Sequence, residues 1–255
     1  MFRQIRTIAF YTFIEALRNH LVWLIFAVAL IAIGLSGFLN ELAITESRQI
    51  QIALIAAFSR FAAVFLIATF VVTSMVRESN DKGLELILAL PLPRAGYLLG
   101  KLLGFGTLAL VPTLLFGALA WIFSPLAQAA LWTVSLLCEL WLVAAFSLLC
   151  VLTFSQVMTA LSAVMAFYLA ARSVSAFQLI GQDFAGNHSL SQDVISTVIN
   201  VIAAVLPHFD QFTRTEWLVY QSGNWSNLPA ILAQSAIFLA LITGAALFDL
   251  YRKNI

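Results

Sequence analysis

Long apolar runs separated by short polar stretches make up most of this chain. A transmembrane helix needs about 20 mostly apolar residues, and about six runs reach that length. The pattern therefore predicts an all-α, polytopic membrane protein with six transmembrane helices in a single domain covering residues 1–255. The predicted spans are 21–39, 52–76, 102–123, 129–154, 159–180 and 228–250.

The first 20 residues mix apolar and polar positions before the first span. Phe2, Ile5, Ala9 and Phe13 recur at helical spacing, with arginine, glutamine and glutamate between them. This pattern predicts an interfacial amphipathic helix over residues 1–20 that lies in the lipid headgroup layer. The alternative is a simple cytoplasmic extension of the first span.

The longest polar segment, 181–227, lies between the fifth and sixth predicted spans. Within it, residues 194–206 form an apolar run at helical spacing, which Pro207 stops. A run of about 13 residues is too short to span, so it either dips into the outer leaflet as a partly re-entrant segment or lies along it. The segment also carries aromatic residues typical of the membrane–water interface: Trp217, Tyr220 and Trp225.

Composition and charge exclude two broad classes and orient the spans. The chain is 62% hydrophobic and only 10% charged, whereas soluble domains carry about 25% charged residues. A net charge of +1 lacks the excess of basic residues that is typical of nucleic-acid-binding proteins. Arg48 and Arg214 fall on one side of the predicted membrane, and most basic residues fall on the other, so the positive-inside rule places both termini in the cytoplasm. The cytoplasmic set is Arg3, Arg6, Arg18, Arg77, Lys82, Arg94, Lys101, Arg252 and Lys253.

The predicted cytoplasmic loop 77–101 combines charge with an apolar core. Its sequence is RESNDKGLELILALPLPRAGYLLGK. Residues 83–90 form an apolar run too short to cross a bilayer, and Pro91 and Pro93 end it by removing backbone donors. We expect a short helix with an exposed apolar surface that needs a binding partner. The partner is the lipid surface, the protein's own helix bundle or a groove in another protein.

Several groups of residues carry a family resemblance. In the loop these are Arg77-Glu78, Gly83-Leu84-Glu85, Leu88-Ala89-Leu90-Pro91, Arg94 and Leu98-Leu99-Gly100-Lys101. Outside it they are Thr12-Phe13, Glu15-Ala16-Leu17-Arg18, Leu206-Pro207, Phe209 and Phe212. With this pattern and topology, the chain resembles the ABC-2 type permeases of ABC transporters over nearly its full length.

The resemblance implies a non-enzymatic permease subunit of the bacterial inner membrane. It would dimerise with a second permease copy and bind a separate cytoplasmic ABC ATPase, which would hold the ATP and magnesium. This chain would hold no cofactor. ATP hydrolysis would be coupled to export or to conformational work through a coupling helix in the loop. The residues assigned to ATPase coupling are Glu78, Gly83, Leu84, Glu85, Leu86, Leu90, Pro91 and Arg94.

Among the subfamilies, the chain is most similar to permeases linked to multicopper-enzyme maturation, as in nitrous-oxide reductase assembly. This similarity leaves a second function open. The protein would then be a membrane scaffold or assembly factor that acts on a periplasmic partner protein without moving a solute, with segment 181–227 as its working end.

The loop does not contain an ATP-binding motif. The string from Gly96 to Leu102 has three residues between its glycines and a leucine at the magnesium-binding position, whereas a P-loop needs four residues and Ser or Thr. Gly96, Gly100 and Gly104 instead form a small-residue stripe at which another helix can approach closely. The stripe packs within the subunit, forms a dimer contact or gives flexibility where the third span begins.

Glu139 and Arg172 are the costliest residues within the apolar runs. They lie on opposite sides of a predicted turn at 155–158, each about 20–25 Å from the cytoplasmic helix end. Adjacent antiparallel helices would bring them to one depth, so we predict an intramembrane ion pair, either structural or part of a substrate path. We expect Arg60 to extend toward the outer headgroups.

The sequence gives little support for a metal site, a disulfide or a catalytic site. His188 and His208 are too far apart in sequence for a close ligand pair, so no metal site is expected. Cys138 and Cys150 are about 18 Å apart in one predicted helix, too far for a disulfide. No arrangement of nucleophile and base stands out, which makes an intramembrane enzyme the least favoured class.

Overall fold

The computed structural model describes residues 2–18, 21–42, 47–81, 93–176, 197, 201–202 and 205–252. The regular structure in these ranges is helical, which confirms the predicted all-α class. The α-helices are α1 Phe2–Arg18, α2 Leu21–Leu42, α3 Ser47–Asn80, α4 Arg94–Leu108, α5 Leu110–Phe123, α6 Leu126–Phe154, α7 Val157–Arg172, α8 Thr215–Val219 and α9 Leu228–Arg252, with 3₁₀ turns at Phe209–Gln211 and Trp225–Asn227.

Within the described residues, 4 helical segments are long and apolar enough to cross a membrane, or 5 if α1 and α2 count as one bent span. The four are Arg48–Asn80, Arg94–Phe123, Leu126–Phe154 and Trp225–Arg252. Helix α7 is apolar but has only 16 residues, and residues 177–180 of the predicted fifth span lie outside the described part. The structure supports a multi-pass protein, and the count of six spans stays a prediction.

Helix α6 is the centre of the bundle. In its most apolar window 72% of residues are buried, compared with 17% for α9. It packs against α3, α5, α7 and α9, and it can do so because its sequence is apolar around its whole circumference. Helix α9 presents large apolar side chains outward, as a helix facing lipid would: Leu232, Ile237, Leu241 and Phe248.

The third span is a helix broken at Ala109, between α4 and α5. Pro112 lacks a backbone donor and its ring crowds the carbonyl one turn earlier, which interrupts the helix. Near the break, the indole N–H of Trp141 in α6 donates to the carbonyl of Gly106 at 2.9 Å. The broken helix is thereby fixed to the central helix.

Helical structure also extends into both ends of the predicted loop 77–101. Helix α3 continues through Asn80 and α4 begins at Arg94, so the connection between them is shorter than the charge pattern suggested. The physical reason is that charged residues near a helix end can stay helical when they find partners on a neighbouring helix.

The described residues of segment 181–227, which we call the outer segment after its predicted side of the membrane, lie along the first half of α6. Ser124 Oγ, just before this helix, donates to the carbonyl of Leu218 at 3.0 Å, and Gln128 Nε2 donates to the carbonyl of Gly223 at 3.0 Å. Aromatic and aliphatic side chains of the segment are buried against the bundle: Phe209, Phe212, Trp217 and Leu218. A dip into the bilayer stays a prediction, since most of the apolar run 194–206 lies outside the described residues.

Candidate functional site

The predicted coupling residues divide into two groups. Glu78 and Arg94 stand at the two ends of the loop and belong to α3 and α4. The other members lie outside the described residues: Gly83, Leu84, Glu85, Leu86, Leu90 and Pro91. The structure therefore describes the contacts at the two ends of the loop.

Glu78 is held by two side chains of α4. Lys101 Nζ lies 2.6 Å from Glu78 Oε2, and the two side chains are only 7% and 16% exposed. The hydroxyl of Tyr97 donates to Glu78 Oε1 at 3.0 Å. This Glu78–Lys101–Tyr97 cluster fixes the end of α3 to α4, because separating a mostly buried ion pair leaves an uncompensated charge.

Two further contacts join α1 and α9 to the same region. Glu15 Oε1 on α1 accepts hydrogen bonds from Arg77 Nη2 at 2.6 Å and from Ser74 Oγ at 3.1 Å. Arg94 Nη1 donates to the carbonyl of Leu250 near the end of α9 at 2.9 Å, where a cation also complements the helix dipole. Contacts among four helices thus converge on the two described ends of the loop.

The glycine stripe of α4 lies against α1. A Cβ at Gly100 would fall 2.8 Å from the Cβ of Ile8, and one at Gly104 would fall 2.7 Å from the Cβ of Thr12. At Gly96 the nearest atom, on Pro93, is 3.3 Å away, so that end of the stripe is less crowded. Of the predicted alternatives, the geometry matches packing within the subunit.

The predicted intramembrane pair is close in space. Glu139 on α6 is fully buried, and its Oε1 lies 3.8 Å from Arg172 Nη1 at the end of α7. The other carboxylate oxygen accepts a hydrogen bond from the hydroxyl of Thr213 in the outer segment. The backbone N–H of Thr213 donates to Ser135 Oγ at 2.9 Å, so the outer segment reaches the same depth as the pair.

Both arginines of this region bind backbone carbonyls of the outer segment. Arg172 Nη1 donates to the carbonyl of Phe212 at 2.9 Å and to that of Phe209. Arg60 Nη1 on α3 donates to the carbonyl of Thr213 at 2.9 Å. The expectation that Arg60 extends to the headgroups was wrong, because the outer segment supplies an acceptor inside the bundle. We call Glu139, Arg172, Arg60, Thr213 and Ser135 the outer polar network.

Thr213 and Lys101 were not identified from the sequence as site residues. Thr213 is fully buried with a φ of 41°, a conformation that normally selects Gly, Asn or Asp, so its residue type gave no signal. Lys101 was counted as a loop charge and as part of the family resemblance, without a partner. Its helical position and its distance from Glu78 in the chain hid the pairing.

Both sites are built from ion pairs and hydrogen bonds. Within the described ranges, no group of three or more His, Cys, Asp and Glu residues could hold a metal ion. Cys138 and Cys150 are buried, free thiols on α6. The Glu78–Lys101–Tyr97 cluster joins α3 to α4, and the outer polar network joins α3, α6 and α7 to the outer segment.

Residues 39–248 match the family model described as "ABC-2 family transporter protein". The chain belongs to the ABC-2 transporter family. The match covers most of the chain, and the family is that of the membrane components of ABC transporters, which work with an ABC ATPase. This agrees with a multi-pass transport subunit that is not itself an enzyme. No curated protein matches the chain.

Proposed function

We propose that this ABC-2 protein is a permease subunit that dimerises with a second copy and couples ATP hydrolysis by a separate ATPase to export, or to conformational work, across the bacterial inner membrane. The observation that carries the proposal is the buried Glu78–Lys101–Tyr97 cluster. The cluster joins α3, which leads into the loop, to α4, which follows it. Residues 83–90 of this loop would bind the ATPase.

A force on the loop would move α3 and α4 together. The ion pair between Glu78 and Lys101 is 2.6 Å long and mostly buried, and breaking such a pair costs about 3–5 kcal/mol. Both helices would therefore tilt or shift before the pair separated. Arg94, bonded to the carbonyl of Leu250, would carry the end of α9 with them.

Helix α3 would carry this movement to the outer side. It has 34 residues, and a helix of that length is about 51 Å long. Glu78, at the loop, and Arg60, in the outer polar network, lie on this one helix, about 27 Å apart at 1.5 Å per residue. Movement of the loop would thus change the position of Arg60 relative to Thr213 and the outer segment.

The family match supports the transporter function and gives no specific support to the metalloenzyme-maturation branch or to a scaffold without transport. In the proposed complex this chain contributes the loop, the helices α3 and α4 that move with it, and the membrane path. ATP and magnesium stay on the partner ATPase.

The test is a triple variant of the loop, Glu85→Lys with Leu86→Gln and Leu90→Gln. We expect normal membrane insertion and a normal size-exclusion profile, but loss of ATPase copurification and of coupled ATP hydrolysis in proteoliposomes. The matched control is Asp81→Lys, a charge reversal at the exposed residue that follows α3, which should retain coupling. Normal ATP-driven activity in the triple variant would contradict the proposal.

A further inference from the structure

A cleft between α1 and the end of α3 has the chemistry of an anion site. Its volume is about 540 Å³, and it is lined by Tyr11, Ile14, Glu15, Arg18 and Arg77. Small-molecule pockets are typically about 300–1,000 Å³, so the cleft is large enough for a lipid headgroup. It lies apart from the glycine stripe, which uses a different face of α1.

The lining residues leave a surplus of positive charge. Glu15 Oε1 accepts hydrogen bonds from Arg77 Nη2 at 2.6 Å and from Ser74 Oγ at 3.1 Å, so the one carboxylate of the lining is paired with one of its two arginines. Arg18 is exposed and forms no ion pair within the described part of the chain. Two guanidinium groups and a phenol hydroxyl are donors that match the oxygen atoms of a phosphodiester.

The surroundings of the cleft favour a lipid as the source of that phosphodiester. Phe10 and Tyr11 are 60% and 66% exposed, and their rings meet edge to face with centroids 6.3 Å apart. Trp23, in the first turn of α2, is 76% exposed. Exposed aromatic rings beside basic residues are typical of the membrane–water interface. Beyond Trp23, α2 presents an apolar surface to acyl chains: Leu24, Phe26, Leu30 and Ile31.

We propose that the cleft lined by Tyr11, Arg18 and Arg77 binds the headgroup of an anionic phospholipid. The lipid phosphate lies between the two guanidinium groups, and the acyl chains run along the apolar surface of α2. The bound lipid holds α1 in the headgroup layer and neutralises the positive charge that Glu15 leaves uncompensated. This site depends only on the membrane placement of α1 and does not require coupling to an ATPase.

The test is native mass spectrometry of the full-length protein in detergent, titrated with phosphatidylglycerol or with phosphatidylcholine of the same acyl chains. We expect the protein to retain phosphatidylglycerol preferentially. Since one basic residue contributes roughly a fivefold change in affinity for an anionic lipid surface, Arg18→Gln should lower this retention about fivefold, and Arg18→Lys should restore most of it. The matched control is Arg6→Gln, an exposed arginine of the same helix outside the cleft, which should leave retention unchanged.

Four results would overturn the proposal. Equal retention of the two lipids would show that the cleft does not select charge. Equal losses in Arg18→Gln and Arg6→Gln would show that the general charge of α1 is responsible. Complete displacement of phosphatidylglycerol by excess inorganic phosphate would assign the site to a free anion. Unchanged retention in Arg18→Gln together with lost ATPase copurification would assign the cleft to the partner protein. Because lipid retention is measured without ATPase, its failure is distinguishable from failure of the coupling function.

Discussion

The Glu139–Arg172 pair offers the sharpest test of how the outer polar network holds the bundle. Glu139 is fully buried, with 3.8 Å between its Oε1 and Arg172 Nη1. At an effective dielectric constant of about 20, two unit charges at this distance attract by about 4 kcal/mol. The loss of unfolding free energy measured in each single variant also depends on the remaining partners. These are the groups that still bind the residue left in place.

Glu139→Gln should cost about 3 kcal/mol, the lower end of the range for a broken buried pair. Arg172 keeps its hydrogen bond to the carbonyl of Phe212 at 2.9 Å in this variant, and glutamine can still accept from Thr213. Arg172→Gln should cost about 5 kcal/mol, because it leaves the buried carboxylate of Glu139 without its ion-pair partner and removes the donors to the outer segment. The double variant should cost clearly less than the sum, with a coupling energy of about 3 kcal/mol.

The assay is equilibrium denaturation with SDS in mixed micelles, followed by the fluorescence of the 6 tryptophans. The matched control is Asp249→Asn. Asp249 also accepts a hydrogen bond from a threonine hydroxyl, that of Thr153 at 3.1 Å, but at an exposed site. Its loss should stay below about 1 kcal/mol. Losses that add within about 0.5 kcal/mol in the double variant would refute an energetically coupled pair.

Two further sets of substitutions test the other contacts. Gly104→Ala should destabilise the protein by about 1–3 kcal/mol, since the added methyl overpacks the contact with α1, and Gly100→Ala should act similarly. The control is Gly244→Ala on α9, where nothing lies within 4 Å of the new Cβ and a small gain of helix stability is expected. Lys101→Met should cost about 3–5 kcal/mol by stranding Glu78, and Lys101→Met with Glu78→Leu should recover most of the loss. Both are measured by the same SDS titration, and a double variant no more stable than Lys101→Met would contradict the pairing.

The helices and the antiparallel arrangement of α6 and α7 could be predicted, because both follow from the local pattern of apolar and polar residues. Apolar runs gave the helices, and a short turn near Ser155 implied that α6 and α7 are antiparallel neighbours. Residues equally far from that turn then had to lie at one depth, which is why the proximity of Glu139 and Arg172 followed from counting alone. Helix α6 ends at Phe154 and α7 begins at Val157, close to the predicted turn.

The contacts between distant segments were not predictable in the same way. Arg60 and Thr213 are 153 residues apart in the chain, and no spacing rule connects an arginine in one span to a carbonyl in a connecting segment. The sequence instead suggested the usual solution for an isolated arginine, which is to reach the headgroups. Lys101 presents the same problem. A charge is assigned to a loop because burying it is costly, yet a partner such as Glu78 removes most of that cost.

The contacts around the loop also differ in strength, and this determines which helices move together. The pair between Glu15 and Arg77 is 54% exposed on the arginine side, and exposed pairs contribute only about 0–1 kcal/mol. The buried pair of Glu78 and Lys101 is much harder to separate. Helix α1 is therefore only weakly attached to α3 through this ion pair, but it is closely packed on α4 through Gly100 and Gly104. When the loop moves, α3 and α4 should move as one unit and α1 should follow through its packing on α4, so the exposed Glu15–Arg77 contact is not needed to carry α1 with them.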